Sequence, residues 1–214
     1  MSRIAERSVT RALAARYASY TDEVNRLIAS CLKVMERTGN FDPRVGDILA
    51  EAGLSNQAFY RHFQSKEELL LAVLEKGAQE LAAYLDKRMA AQADPLGKVR
   101  AWIRGFAAQA IRPKAAAATR PFMFPSARLY ERFPQDVPTI EQPFLDLLES
   151  SLKDAAAAGE VRADGDPAAD AIFIYDLVKS WMERQLRESP MPPEAELARR
   201  ADRLEHFVVK AIGA

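Results

Sequence analysis

The sequence predicts an all-α fold, and three observations carry that reading. Apolar residues recur at intervals of three and four along most of the 214 residues, glycine is scarce at 9, and the punctuation is Pro or Asp-Pro rather than strand-like alternation. With 49% apolar and 28% charged residues, the composition is that of a globular protein with material for a sizeable core. No run approaches the roughly 18 consecutive apolar residues needed to span a bilayer, and the Arg-bearing N-terminus lacks the apolar segment of a signal peptide. A cytoplasmic protein with no membrane partner is therefore expected. The one cysteine, Cys31, excludes an internal disulfide and lies in an apolar-periodic stretch, where it reads as a buried, inert thiol.

Residues 1–20 carry Arg3, Arg7, Arg11 and Arg16 against Glu6 alone, and read as a basic N-terminal arm that either lies along phosphates or is a frayed, solvated tail. From 22 to 38, Val24, Leu27, Ile28, Cys31, Leu32 and Met35 form one apolar stripe, with Asp22 and Glu23 at the positive end of the helix dipole and Gly39-Asn40 closing the helix. A second helix is expected near 44–52, with Val45, Ile48 and Leu49 buried. Ala52-Gly53 offers a left-handed exit because glycine has no Cβ to clash at positive φ. Ser55 then N-caps a short helix over about 56–62. Ser65 followed by Glu68 is a capping box that opens a long fourth helix through Leu69, Leu70, Val73, Leu74, Leu81 and Leu85 to about residue 91.

Asp94-Pro95 starts a fifth helix, containing Trp102, Ile103 and Phe106, that ends before Pro113. Six prolines interrupt residues 113–143, so short helices and irregular turns are expected there. A helix near 139–158 ends at Gly159, and Asp166-Pro167 begins an apolar one. Ser189 to Pro193 forms a stiff connector to a last helix over about 194–212.

The stretch AGLSNQAFYRHFQSKEEL, residues 52–69, is the most informative in the chain. It combines a tight turn, a short helix bearing Asn56, Gln57, Tyr60, Arg61 and His62, and the capped start of another helix. Such side chains hydrogen-bond base edges or phosphates, while Leu54, Phe59 and Phe63 anchor the helix to a core, which is the reading head of a helix-turn-helix protein. Charge is divided accordingly: residues 1–66 hold ten Lys/Arg against seven Asp/Glu, whereas the other 148 hold twenty against twenty-three. A basic head on an acidic body is the asymmetry expected when one end meets phosphate.

Residues 47–77, DILAEAGLSNQAFYRHFQSKEELLLAVLEKG, resemble the DNA-binding signature of the TetR family of bacterial transcriptional regulators. The resemblance covers the first third of the chain and implies three parts: a basic arm at 1–20, a three-helix DNA-binding domain with a helix-turn-helix at 21–66, and a helical ligand-binding and dimerisation domain at 67–214. It implies a homodimer whose heads, about 34–36 Å apart, enter successive major grooves of double-stranded operator DNA. The DNA-binding candidates are Arg44, Ser55, Asn56, Gln57, Tyr60, Arg61, His62 and Lys66. The amides of Asn56 and Gln57 can pair with adenine, or they are simply exposed first-turn residues. Tyr60 matches the family's phosphate-contacting tyrosine; the alternative is a core tyrosine. Arg61 reaches guanine or phosphate. His62 matches a phosphate-contacting position, or caps the carbonyls ending its own helix. Lys66 sits in a helix's first turn, where backbone N–H groups and the dipole favour an anion. Arg44 stands where the family often has threonine or serine, which keeps a phosphate donor but changes its geometry.

Large apolar side chains, most of them rings, crowd the remainder: Trp102, Phe106, Phe122, Met123, Phe124, Tyr130, Phe144, Phe173, Tyr175 and Trp181 are candidates to line a site for an apolar or aromatic small-molecule effector. Core packing is the alternative for each. The last two helices carry apolar residues over wide arcs, so the homodimer is expected through them. GxGxxG, GxxxxGK, GxSxG and HExxH are all absent, so no catalytic residue, metal or cofactor is assigned and an enzyme is not expected. The competing reading is a helical ligand-binding or adaptor protein in which the helix-turn-helix pair has no DNA role.

Overall fold

The computed structural model describes residues 2–40, 42–123 and 126–213, and among these the chain is helical without strands. It divides into two compact units, Met1–Leu74 and Glu75–Ala214.

The first unit contains α1 (Arg3–Thr38), α2 (Val45–Ala52), α3 (Asn56–His62) and the first turns of α4 (Lys66–Ala90). α1 starts at Arg3 rather than near residue 22, because nothing between 3 and 38 breaks a helix: the arm has neither Gly nor Pro and is rich in Ala and Arg. Of the stripe predicted for it, Leu27, Ile28, Cys31 and Met35 are buried, Val24 and Leu32 are half-buried, and Val34, not among those predicted, is buried too; Ile48, Phe59 and Leu69 are buried in the same unit. Burial pushes the Cys31 thiol up to about 12, so it stays protonated and unreactive.

The turn between α2 and α3 is built as the sequence implies. Gly53 adopts φ 61 and its amide donates to the Leu49 carbonyl. Arg26, reaching across from α1, donates from Nη2 to the Ala52 carbonyl at 2.5 Å, and a Cβ at Gly53 would lie 3.4 Å from that same nitrogen. Gly53→Ala is therefore expected to destabilise the head by about 1–2 kcal/mol through the left-handed backbone alone. A urea titration followed by circular dichroism should show the loss. The Ser55 hydroxyl accepts from the Ala58 amide at 3.2 Å as predicted. At α4 the Ser65 hydroxyl accepts from the Glu68 amide, and the Glu68 carboxylate accepts from the Gln64 amide at 2.5 Å, one residue before the usual capping-box donor.

In the second unit α5 (Pro95–Ile111) is central and packs against α6 (Pro113–Met123), α8 (Asp136–Ala157), α9 (Pro167–Arg187) and α10 (Glu194–Ile212), with α7 (Ser126–Arg132) following α6. Asp94 and Asp166 cap α5 and α9 through their carboxylates, each followed by Pro at the first helical position. α8 begins at Asp136, earlier than the expected 139, and continues through Pro138 and Pro143. Pro138 costs no helical hydrogen bond, since first-turn amides have no partner within the helix, whereas Pro143 forfeits one. Gly105 admits α4 closely: a Cβ there would fall 2.7 Å from the Leu85 side chain. The buried Glu205 of α10 accepts from Arg104 of α5 and forms an ion pair with Arg100 at 3.7 Å, so its charge is compensated.

Candidate nucleic-acid interface

Helical periodicity splits α3 into two faces. Ala58 and Phe59 point into the head, and Phe63 beyond the helix is buried with them. Ser55, Asn56, Gln57, Tyr60 and Arg61 are exposed. Tyr60 is 65% exposed, which excludes the core alternative, and its ring stands edge-on to Phe59 at 5.1 Å. The apolar part of Tyr60 is thus steadied on the core while its surface stays open to solvent. Arg44 is the exposed N-cap of α2, its carbonyl accepting from the Asp47 and Ile48 amides.

Three of the four basic candidates, Arg61, His62 and Lys66, are engaged within the head. His62 lies on the inward side of α3, its imidazole side chain only 7% exposed, with Nε2 2.6 Å from Glu23 of α1 and the ring edge-on to Tyr20. It does not cap its own helix, which corrects that alternative, and its ring faces Glu23 rather than solvent. Arg61 bonds the same carboxylate from Nη1 at 3.1 Å and lies over the Tyr20 ring at 5.4 Å. The His62 hydrogen bond, aided by Arg61 and Arg26, holds the Glu23 carboxyl below its usual range despite some burial. Lys66 is 2.5 Å from Asp42, in the segment before α2, and only 22% exposed. Glu23, Asp42, Arg26 and Tyr20 are the residues that sequence reasoning missed. For His62 a signal was available, because it falls three and four residues after Phe59 and Ala58, on their face of the helix.

In the second unit four of the predicted aromatics meet. Trp102 stacks on Phe106 at 5.0 Å, Phe106 is edge-on to Phe144 at 5.5 Å and to Tyr175 at 5.7 Å, and the Trp102 Nε1 donates to the Phe144 carbonyl at 3.1 Å. All four are buried. Beside them Lys179 joins Tyr130 and Glu141, donating to the phenol at 3.1 Å and to the carboxylate at 2.5 Å. Burial disfavours the Lys179 charge, but Glu141 and Tyr130 outweigh it and hold its pKa above the usual value. Burial likewise pushes Tyr130 up to about 12 and Tyr175 higher still, so both phenols stay neutral. Phe122 lies apart from the four, its ring close against Gly77, and Trp181 is half-buried at the core's edge. Phe173 is 69% exposed on the face of α9 opposite Tyr175, so it does not join the ring cluster, which corrects its expected place among the lining residues. The Met123 side chain and Phe124 lie outside the described residues.

A short polar helix held by its buried face, with a glycine turn before it and a capped helix after it, defines a helix-turn-helix DNA-binding protein of all-helical architecture. Residues 36–73 match the family described as "Bacterial regulatory proteins, tetR family". The chain is similar in fold to the FadR regulator of Bacillus subtilis solved with stearoyl-CoA, at 15% identity and a TM-score of 0.70, covering 87% of this chain and 98% of that one. A TetR-family regulator of Pectobacterium atrosepticum gives 23% identity and a TM-score of 0.73 over 89% and 94% of the two chains. RolR, solved with resorcinol, gives 13% and 0.66 over 92% and 91%. No curated protein matches the sequence significantly. The head thus carries the TetR-family DNA-binding signature over residues 36–73, and most of the chain shares its fold with solved TetR-family regulators. Among the described residues no helix is long and apolar enough to cross a membrane.

Proposed function

We propose that the protein is a homodimeric repressor that binds a near-palindromic operator and leaves it when an apolar or aromatic small molecule occupies the second unit. One observation carries the DNA reading: Asn56, Gln57 and Tyr60 stand exposed together on α3 while Ala58 and Phe59 lock the opposite face to the core. Nothing in the packing of the head calls for two amides and a phenol there, whereas adenine edges and phosphate oxygens match them. The effector reading is supported by the rings of Trp102, Phe106, Phe144 and Tyr175 beside the polar Lys179, Tyr130 and Glu141, and by the ligands of the fold neighbours, stearoyl-CoA and resorcinol. Release then follows from the effector's higher affinity for the state that does not bind operator.

Footprinting upstream of the protein's own gene supplies the operator for the test. With Asn56 and Gln57 both replaced by alanine, operator affinity should fall about 10- to 100-fold, the worth of about 1–3 kcal/mol of base readout, while binding to an unrelated duplex stays unchanged. Unchanged operator affinity in that variant would overturn the assignment of α3 as the reading helix.

A further inference from the structure

We propose that Glu23 and Asp42 set DNA specificity, as carboxylates that hold cations of the reading segment in the DNA-free head and must be displaced by phosphates. The inference rests on the DNA-binding reading. Three of the basic residues expected at phosphate have an acid partner within the head: Arg61 and His62 share Glu23 at 3.1 and 2.6 Å, and Lys66 holds Asp42 at 2.5 Å. The position of Glu23 in its helix does not account for the carboxylate. A helix starting near residue 22 would have placed it at the positive end of a dipole, but α1 starts at Arg3, and that effect fades within the first turn.

The consequence is thermodynamic. A cation that meets a phosphate releases a counterion from the duplex, which is the term that drives sequence-independent binding. Where the cation must first leave a carboxylate, the freed carboxylate takes up a counterion and sits as a negative charge near the duplex. The two changes offset each other, so binding to any duplex is weakened and its salt dependence flattened. Contacts from Asn56 and Gln57 to base edges release no such ion and keep their full value. Glu23 and Asp42 therefore lower the sequence-independent term selectively, and the ratio of operator to non-operator affinity rises.

Glu23→Gln and Asp42→Asn remove the charge but keep an oxygen able to accept from His62 or Lys66. The full-length protein is titrated by fluorescence anisotropy with a 20-base-pair mixed-sequence duplex and with operator, across a salt series. Each substitution should tighten mixed-duplex binding by about two- to fivefold, the worth of an exposed ion pair, and steepen the slope of log affinity against log salt by about 0.9. Operator affinity should rise less, so that the ratio falls. Glu51→Gln is the control: it makes the same change in net charge but frees Lys33 and Arg37, which lie outside the reading segment. The proposal is overturned if both variants leave the mixed-duplex slope unchanged, if both weaken binding while their circular dichroism is that of wild type, or if Glu51→Gln matches them. If wild type binds no duplex, the DNA reading has failed; if it binds and the slopes do not move, only this inference has.

Discussion

Trp102→Ala is expected to lower the stability of the second unit by about 3–5 kcal/mol. The indole is fully buried, stacks on Phe106 at 5.0 Å, meets Tyr175 at 6.4 Å, and donates its N–H to the Phe144 carbonyl. Truncation removes the apolar transfer energy of the ring, opens a cavity walled by three other aromatics, and leaves that carbonyl without the indole N–H. Trp102→Phe separates the contributions: it retains most of the ring contact and loses the donor, so it should cost only about 1–2 kcal/mol. Urea denaturation reads both, with the midpoint shifting and the slope constant if the native state keeps its compactness. A loss below about 1 kcal/mol for the alanine variant would show that the neighbouring rings do not close on Trp102, and would argue for a void there in the wild-type protein.

Local signals in the sequence translated into structure most directly. Ser55, Asp94 and Asp166 are N-caps whose partners lie two or three residues away, and Gly53 answers to a single φ angle. Each is decided within one turn of chain, so it can be read without knowing the fold. The start of α1 was not legible in that way: the arm lacks the packed stripe that betrays a buried helix, yet nothing in it stops a helix nucleated downstream from propagating. Prolines misled in the opposite direction. Pro138 and Pro143 read as interruptions, but one falls in the first turn of α8 and the other costs one hydrogen bond in a helix held by Leu148, Leu152 and Ala155 in the core.

Partners distant in sequence explain what was missed at the candidate sites. Glu23 meets His62 across 39 residues and Glu141 meets Lys179 across 38, and no periodicity announces either pair. Phe173 and Tyr175 form a different case. Residues two apart on an α-helix differ by about 200° around its axis, so a single line of reasoning could not place both at one internal site. The structure buries Tyr175 and leaves Phe173 outside.

That outward position leads to the second large effect, which concerns the proposed dimer. Ile172, Phe173 and Leu177 of α9 and Phe207 of α10 are 47, 69, 38 and 62% exposed, a concentration of large apolar side chains on the two helices expected to form the interface. Burying each fully would contribute about 1.5–3 kcal/mol, whereas a carboxylate in its place would have to be desolvated without a partner. Phe173→Asp combined with Phe207→Asp therefore puts four new charges into a two-fold interface and should raise the dimer dissociation constant by at least about 100-fold. Both substituted side chains face solvent in the isolated chain, so the monomer should remain folded. Operator binding then loses the linkage between two heads: the second half-site is filled at bulk protein concentration instead of an intramolecular one, a loss of about 10²- to 10⁴-fold in apparent affinity. Sedimentation velocity at micromolar protein reads the first effect and a nanomolar operator titration the second. A double variant that still sediments as a dimer and binds operator like wild type would place the interface elsewhere, and the exposed faces of α9 and α10 would need a different partner.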